Sequence, residues 1–272
     1  MKPPKLGGFF YALTLFKFPN KAYLCPMEET TRIFGIRAVI EAIQGGKSID
    51  KVYIQKGLSG PLFQELNHLL QKGSYNISFV PEEKLYKLSK GNHQGVVATI
   101  SPIKFGNLEE TIEKILEEKT TPLFLLLDQI TDVRNFGAII RTAECTGVDA
   151  IIIPEKGGAP LNADTVKTSA GGVFNLPIVK VNHIKDAVFY LQSSGVQLVA
   201  ATEKTEDTIY DVDFKQASGI IMGNEAKGVS NSILKSVDKK AKLPMFGKIE
   251  SLNVSVACGV FLYEAIRQRQ LS

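Results

Sequence analysis

With 272 residues, 44% of them hydrophobic and 22% charged, and a mean hydropathy of +0.03, the chain has the composition of a folded, water-soluble protein of one large domain or two modest ones. A net charge of +4 and a pI of about 8.8, with no block of consecutive cations, permit an RNA partner without requiring one. The longest apolar runs, 9–16 and 123–127, fall far short of the ~18 residues a spanning helix needs, so no membrane is expected. Three widely spaced cysteines without a C-x-x-C pair argue against a disulfide framework and a thiolate metal site. Three histidines, none within four residues of another, exclude finger-type zinc geometry. No metal is expected, and the cysteine usage fits a reducing cytoplasm.

Residues 1–26 place Lys2 and Lys5 ahead of a short apolar patch, but Lys17, Pro19 and Lys21 follow and no A-x-A site closes it, which argues against a signal peptide. Met27 directly precedes an orderly pattern, so 1–26 reads as a poorly ordered extension or an upstream start. From residue 33 the chain alternates. Ile36–Ile43 has helical spacing and stops at Gly45-Gly46; Lys51–Ile54, Ile77–Val80 and Gly95–Ile100 read as strands; Pro61–Gln71 and Glu82–Ser89 read as helices. A small α/β domain is predicted over 27–103. Leu108–Lys119, rich in Glu and Lys, reads as a solvated connecting helix within a linker of 104–121.

A second alternation over 122–272 opens with the apolar run Leu123–Asp128, expected of a strand covered on both faces. Helix 136–147, strand 150–153, helix 163–169, strand 178–181, helix 184–193 and strands 196–200, 219–222 and 240–243 follow, ahead of a C-terminal helix from about 254 to 268. Repeated βα units predict a mostly parallel sheet flanked by helices, with ligands outside the carboxyl ends of its strands.

No G-x-G-x-x-G follows a strand, and Gly46-Lys47-Ser48 lacks the first glycine of a P-loop, so dinucleotide and P-loop chemistry are excluded. Three polar clusters stand at predicted strand ends. Asp128 to Ala138 runs through Asp132, Asn135 and Gly137 into a helix carrying Arg141; it reads either as a backbone-lined anion or ribose site or as simple N-capping by Asp132 or Asn135. Gly223-Asn224-Glu225-Ala226-Lys227-Gly228 reads as a tight turn with one carboxylate, facing a ligand or only solvent. Leu243-Pro244-Met245, with Ser251-Leu252-Asn253 before the last helix, offers Ser251 or Asn253 as an N-cap.

Together, Asn135-x-Gly137-Ala138-x-x-Arg141, Gly223-x-Glu225-x-x-Gly228 and Leu243-Pro244-Met245 with Ser251-Leu252-Asn253-Val254-Ser255 resemble, in order and spacing, the three motifs of the SpoU-type (TrmH-like) RNA ribose 2′-O-methyltransferases of the SPOUT superfamily. The resemblance covers about 122–270. Ile33 to Val39 and Asn92 to Ala98 are similar to the small, L30e-like RNA-binding domain ahead of many such enzymes. This arrangement looks most like the enzymes that methylate a guanosine ribose in 23S ribosomal RNA. The resemblance implies a trefoil-knotted α/β domain, a homodimer, and S-adenosyl-L-methionine held around Thr202, Gly223, Leu243, Met245 and Leu252. It implies catalytic roles for Asn135, Arg141, Glu225, Ser251 and Asn253, with Arg141 as base or as a phosphate or 2′-oxygen clamp, and the helix 254–266, which reads as amphipathic, as dimer surface. Where the family has Asp-Pro before the Asn, this chain has Asp132-Val133-Arg134, a change expected to loosen the turn without removing a reacting group. Two rival readings remain: a transfer-RNA methylase, and an RNA-binding protein that kept the fold and lost catalysis.

Overall fold

The computed structural model describes residues 32–73, 75–89, 91–249 and 251–270; the expectations for 1–26 lie outside them. The first unit contains β1 (Arg32–Phe34), α1 (Ile36–Gln44), β2 (Ile49–Gln55), α2 (Pro61–Lys72), β3 (Ile77–Val80), α3 (Glu82–Leu88) and β4 (Val96–Ile100). Its four strands lie in the order β1-β4-β2-β3, with only β2 and β3 parallel. Val52, Ile54, Val96 and Ala98 face α1 and α2 across one core, while α3 covers part of the other face through Leu85, against Val80 and Val97.

The second unit comprises α4 (Leu108–Glu118), β5 (Leu123–Leu127), α5 (Val133–Cys145), β6 (Ala150–Pro154), α6 (Ala163–Thr168), β7 (Ile178–Val181), α7 (Ile184–Ser193), β8 (Gln197–Ala201), β9 (Ser218–Met222), α8 (Asn231–Leu234), β10 (Lys239–Ala241) and α9 (Val254–Gln270). Its six strands pair in parallel throughout, in the order β10-β8-β9-β5-β6-β7. Because side chains alternate along a strand, Leu123, Leu125 and Leu127 of β5 join the core beneath α5 and α9, and Phe124 and Leu126 join the opposite core beneath α4, α7 and α8. That two-sided demand is the reason this strand is unbroken hydrocarbon. Cys258 lies in the first of these cores, where burial pushes its thiol up to about 12 and leaves it a neutral, inert packing group.

Two sequence expectations are corrected. Helix α4 is not a solvated connector: Asn107 caps it by accepting the Glu110 N–H at 3.0 Å, and Leu108 and Ile112 are buried in the core beside β7. The Glu and Lys residues occupy only its outer side. The last helix is not amphipathic. Val254, Cys258, Phe261, Leu262 and Ala265 are buried, but Val256, Val260 and Tyr263, spaced i, i+4, i+7, form a second apolar stripe that is exposed.

Contacts join the two units. Gly106 bridges Val179 at the β7 edge, and Lys180 of β7 pairs with the buried Asp50 of β2 at 2.9 Å while lying 3.9 Å from the Phe105 ring centroid.

Helices α5 and α6 approach closely at Gly137, where an added Cβ would run into the Thr168 side chain and come within 3.2 Å of the Ser169 nitrogen. Gly137→Ala should therefore cost about 1–3 kcal/mol by overpacking, lowering the thermal midpoint by roughly 2–4 °C per kcal/mol. Calorimetry showing an unshifted midpoint would contradict this packing.

Candidate active site

All six strands of the second sheet are parallel, so the segments after β5, β8, β9 and β10 emerge at one edge. The segment after β5 is held from below and across. Asp128, buried, accepts the Ser230 N–H at 2.8 Å, and the Gln129 carbonyl accepts the Asn224 amide at 2.9 Å while Gln129 itself sits at φ 63°. Helix α5 then starts at Val133, three residues before the predicted start, because Asp132 caps it by accepting the Asn135 N–H at 2.8 Å. Capping thus belongs to Asp132, and Asn135 lies in the first helical turn with its side chain free for other partners. Val133 fills the first helical position, where proline is favoured, and packs against the core; the cap sets this turn without the ring.

After β9 the chain folds back on itself. Asn224 and Gly228 exchange both backbone hydrogen bonds, and the Asn224 carboxamide oxygen accepts from the Ala226 and Lys227 N–H groups at 2.9 and 3.3 Å. Gly223 is required beneath this loop, since a Cβ there would coincide with the backbone of Gly228 and Val229. The result lifts Glu225 off the sheet edge. At the start of α9, Asn253 is the cap: its side-chain oxygen accepts the Ser255 N–H at 2.9 Å and its carbonyl accepts the Ala257 N–H at 2.9 Å.

These three segments meet through two side-chain amides. The Asn253 amide donates to the Asn135 carboxamide oxygen at 3.0 Å, and the Asn135 amide donates to a Glu225 carboxylate oxygen at 3.0 Å. The direction of the relay follows from the cap. Because Asn253 must present its oxygen to Ser255, its NH2 points at Asn135; Asn135 therefore answers with its oxygen and turns its own NH2 to Glu225. The second Glu225 oxygen remains at the exposed end.

Of the residues picked out in the sequence, the structure joins Asn135, Glu225 and Asn253. It does not join the others to them. Arg141 is exposed, two helical turns along α5, with no hydrogen bond or ion pair among the described residues, and Ser251 is exposed before α9 and makes no hydrogen bond among them either. Thr202 is buried at the end of β8, where its N–H donates to the Ala241 carbonyl at 3.0 Å. Leu243 packs partly on the core, and Met245 and Leu252 are 39% and 43% exposed. The N–H groups of Leu243, Met245 and Leu252 have no acceptor among the described residues. Asp128, Gln129 and Asn224 were not singled out as site residues from sequence, although an Asn directly after a strand-end Gly is a signal for a loop of this kind.

Both units resemble known proteins. The profile of the SpoU rRNA Methylase family matches residues 122–263, and that for RNA 2′-O ribose methyltransferase substrate binding matches 32–106. A 23S rRNA (guanosine-2′-O-)-methyltransferase, RlmB of Pseudomonas aeruginosa, is 34% identical over 245 residues, 89% of this chain and 98% of that one. The SpoU methyltransferase AviRb from Streptomyces viridochromogenes, solved in complex with the cofactor AdoMet, superposes with a TM-score of 0.57 at 26% identity over 89% of this chain and 91% of that one. A TrmH/SpoU tRNA modifying enzyme of A. aeolicus gives a TM-score of 0.51 at 33% identity, over 60% of this chain and 85% of that one. On motifs, fold and relatives alike, the chain belongs to the SpoU rRNA methylase family of RNA methyltransferases.

Proposed function

We propose that the protein methylates a ribose 2′-hydroxyl of RNA using S-adenosyl-L-methionine, and that its target is a guanosine of 23S ribosomal RNA. The observation that carries the reading is the Asn253–Asn135–Glu225 relay, which draws three motifs from distant parts of the chain to one sheet edge and ends on an exposed carboxylate. The first unit favours ribosomal over transfer RNA: the 23S relative matches 89% of this chain, including that unit, whereas the tRNA-modifying enzyme spans 60%. We assign RNA delivery to 27–103 and chemistry to 122–272, with α4 of the segment 104–121 packed into the second unit's core. With a soluble composition and, among the described residues, no helix long and apolar enough to cross a membrane, we place this activity in the cytoplasm.

The residues at the sheet edge fit the cofactor. N–H groups of Leu243, Met245 and Leu252, without an acceptor among the described residues, can meet the acceptors of an adenine and a ribose, exposed Met245 and Leu252 side chains offer apolar cover for a ring, and Gly223 makes room for the adjoining Gly228 and Val229 backbone. When bound, S-adenosyl-L-methionine supplies an electrophilic methyl group. Transfer to a hydroxyl needs in-line alignment and loss of a proton. Glu225, oriented by Asn135, holds the ribose or takes up a hydroxyl proton; Ser251 and Asn253 border the same ligand. Arg141 acts on the reacting ribose as base or as clamp of its 2′-oxygen or phosphate. Its exposed guanidinium, without an ion pair among the described residues, favours the clamp, since its planar fork suits a phosphate or an oxyanion.

We further infer a homodimer with a knotted C-terminal segment. In support, the chain leaves edge strand β10 and returns through α9 onto α5 and β9, and α9 then offers its second apolar stripe outward. A partner seated on that stripe lies beside the relay that α9 caps.

Glu225→Ala should lower the single-turnover methyl-transfer rate constant about 100-fold, the cost of losing alignment, while changing stability by no more than ~0.5 kcal/mol. An unchanged rate in a normally folded variant makes Glu225 a solvated turn residue. Arg141→Lys keeps the charge and loses the planar fork, so it should cost about 100-fold in the same rate constant at saturating RNA; a near-normal rate leaves Arg141 only a phosphate contact. Val260→Glu should convert the protein to monomer in sedimentation equilibrium, and a dimer that survives it moves the interface off α9.

A further inference from the structure

The exposed face of the first sheet carries a charge and ring pattern that the relay does not use. Direct cross-strand neighbours share a face, so the register places Arg32, Thr99 and Lys51 in one row across β1, β4 and β2, and Phe34, Val97 and Tyr53 in the next. Helix α3 covers Val97 but leaves the first row open. Lys51 and Lys84 both approach the Tyr53 ring, their nitrogens 5.3 and 5.9 Å from its centroid, and the Arg32 guanidinium donates to the Leu88 carbonyl at 2.9 Å.

None of these three cations has an ion-pair partner among the described residues. Of the acids nearby, Asp50 is paired with Lys180, while Glu82, whose carboxylate raises the Tyr86 phenol pKa, and Glu83 stand exposed in the first turn of α3. Tyr86 and Phe34 are 59% and 45% exposed. Tyr86 lies edge-on to His93, with ring centroids 4.6 Å apart. His93 Nδ1 accepts the Gly95 N–H at 3.0 Å, and its Nε2 is buried without a hydrogen-bond partner among the described residues. The adjoining Gln94 is held at φ 48°, in the left-handed region that favours glycine. A buried ring nitrogen, a left-handed turn and an exposed ring thus stand at the start of β4, with the Phe34–Val97–Tyr53 row between them and Arg32 and Lys51.

We propose that this face is where the protein grips single-stranded RNA, with Arg32, Lys51 and Lys84 on successive phosphates and Tyr86 stacked on a base. The inference rests on the RNA-methylating function proposed above and names the surface that delivers the substrate. Unpaired cations track a phosphate backbone, and an exposed aromatic ring accepts any base face without demanding a sequence.

The test uses the full chain, a short fluorescein-labelled single-stranded RNA read by anisotropy, and tritium transfer from S-adenosyl-L-methionine to ribosomal RNA. The double variant Lys51→Ala, Lys84→Ala should flatten the slope of log K against log salt by about 1.4, the value for two lost phosphate contacts on a single strand. Tyr86→Ala should weaken binding about tenfold, within the range for one lost stack, and Tyr86→Phe should bind as the parent does. An unaltered salt slope in the double variant, with circular dichroism unchanged, overturns the proposal, as does Tyr86→Phe binding as poorly as Tyr86→Ala. If the parent transfers no tritium to RNA, the methylating function falls instead, while the anisotropy contrast still decides the surface.

Discussion

An amide side chain has no preferred orientation of its own, and the candidate active site depends on how one such ambiguity is resolved. The first turn of α9 leaves N–H groups without helical partners, and Asn253 turns its oxygen toward one of them. That single orientation propagates: Asn135 must receive with oxygen and donate with nitrogen, and Glu225 must accept. An aspartate at 253 would still cap the helix but would present oxygen to oxygen at Asn135. The ordinary demand of a helix end therefore sets the polarity of the polar relay, and a feature that looks like routine capping in the sequence is also part of the site.

The same relay explains why backbone at this edge is so tightly specified. Glu225 can stand at the end of the chain of hydrogen bonds only because Asn224 spends its side chain on three backbone groups and Gly223 leaves room for the returning loop. Asp128 and the left-handed Gln129 hold the facing segment. The side chains of Asp128 and Asn224 serve only backbone groups, and both control where Glu225 ends up.

Sequence patterns revealed what depends on local order and missed what depends on distance. The apolar run of β5, the β-branched strand Ile178–Val181 and the periodic helix Ile184–Ser193 were legible because burial on one or two faces writes itself into neighbouring residues. Strand β1 was not, being three residues whose only reason to be extended is antiparallel pairing with β4, far along the chain; α8, of four residues, is too short for a period. Asn135, Glu225 and Asn253 could be picked out individually from their motifs. Their connection could not, since its two hydrogen bonds span 90 and 118 residues. Likewise, the buried side of α4 was masked by its acidic and basic exterior, and the apolar residues of α9 read as one face until the fold divided them between core and surface.

Helix α9 is fastened at both ends, and by different chemistry. Its last turn is clasped by Arg269, whose guanidinium donates to the carbonyls of Thr121, Pro122, Phe214 and Gln216, just before β5 and β9 begin. Gln268 adds bonds to Val212 and Phe214. Seventeen residues at ~1.5 Å each span about 25 Å, so the helix reaches from the start of those strands to the site at their other end. Adding or deleting one residue within it would rotate one end by roughly 100° relative to the other, so that Asn253 and Arg269 could not both find their partners. The phase of this helix is therefore under constraint along its whole length, and changes in its length are open to the chain only beyond Arg269.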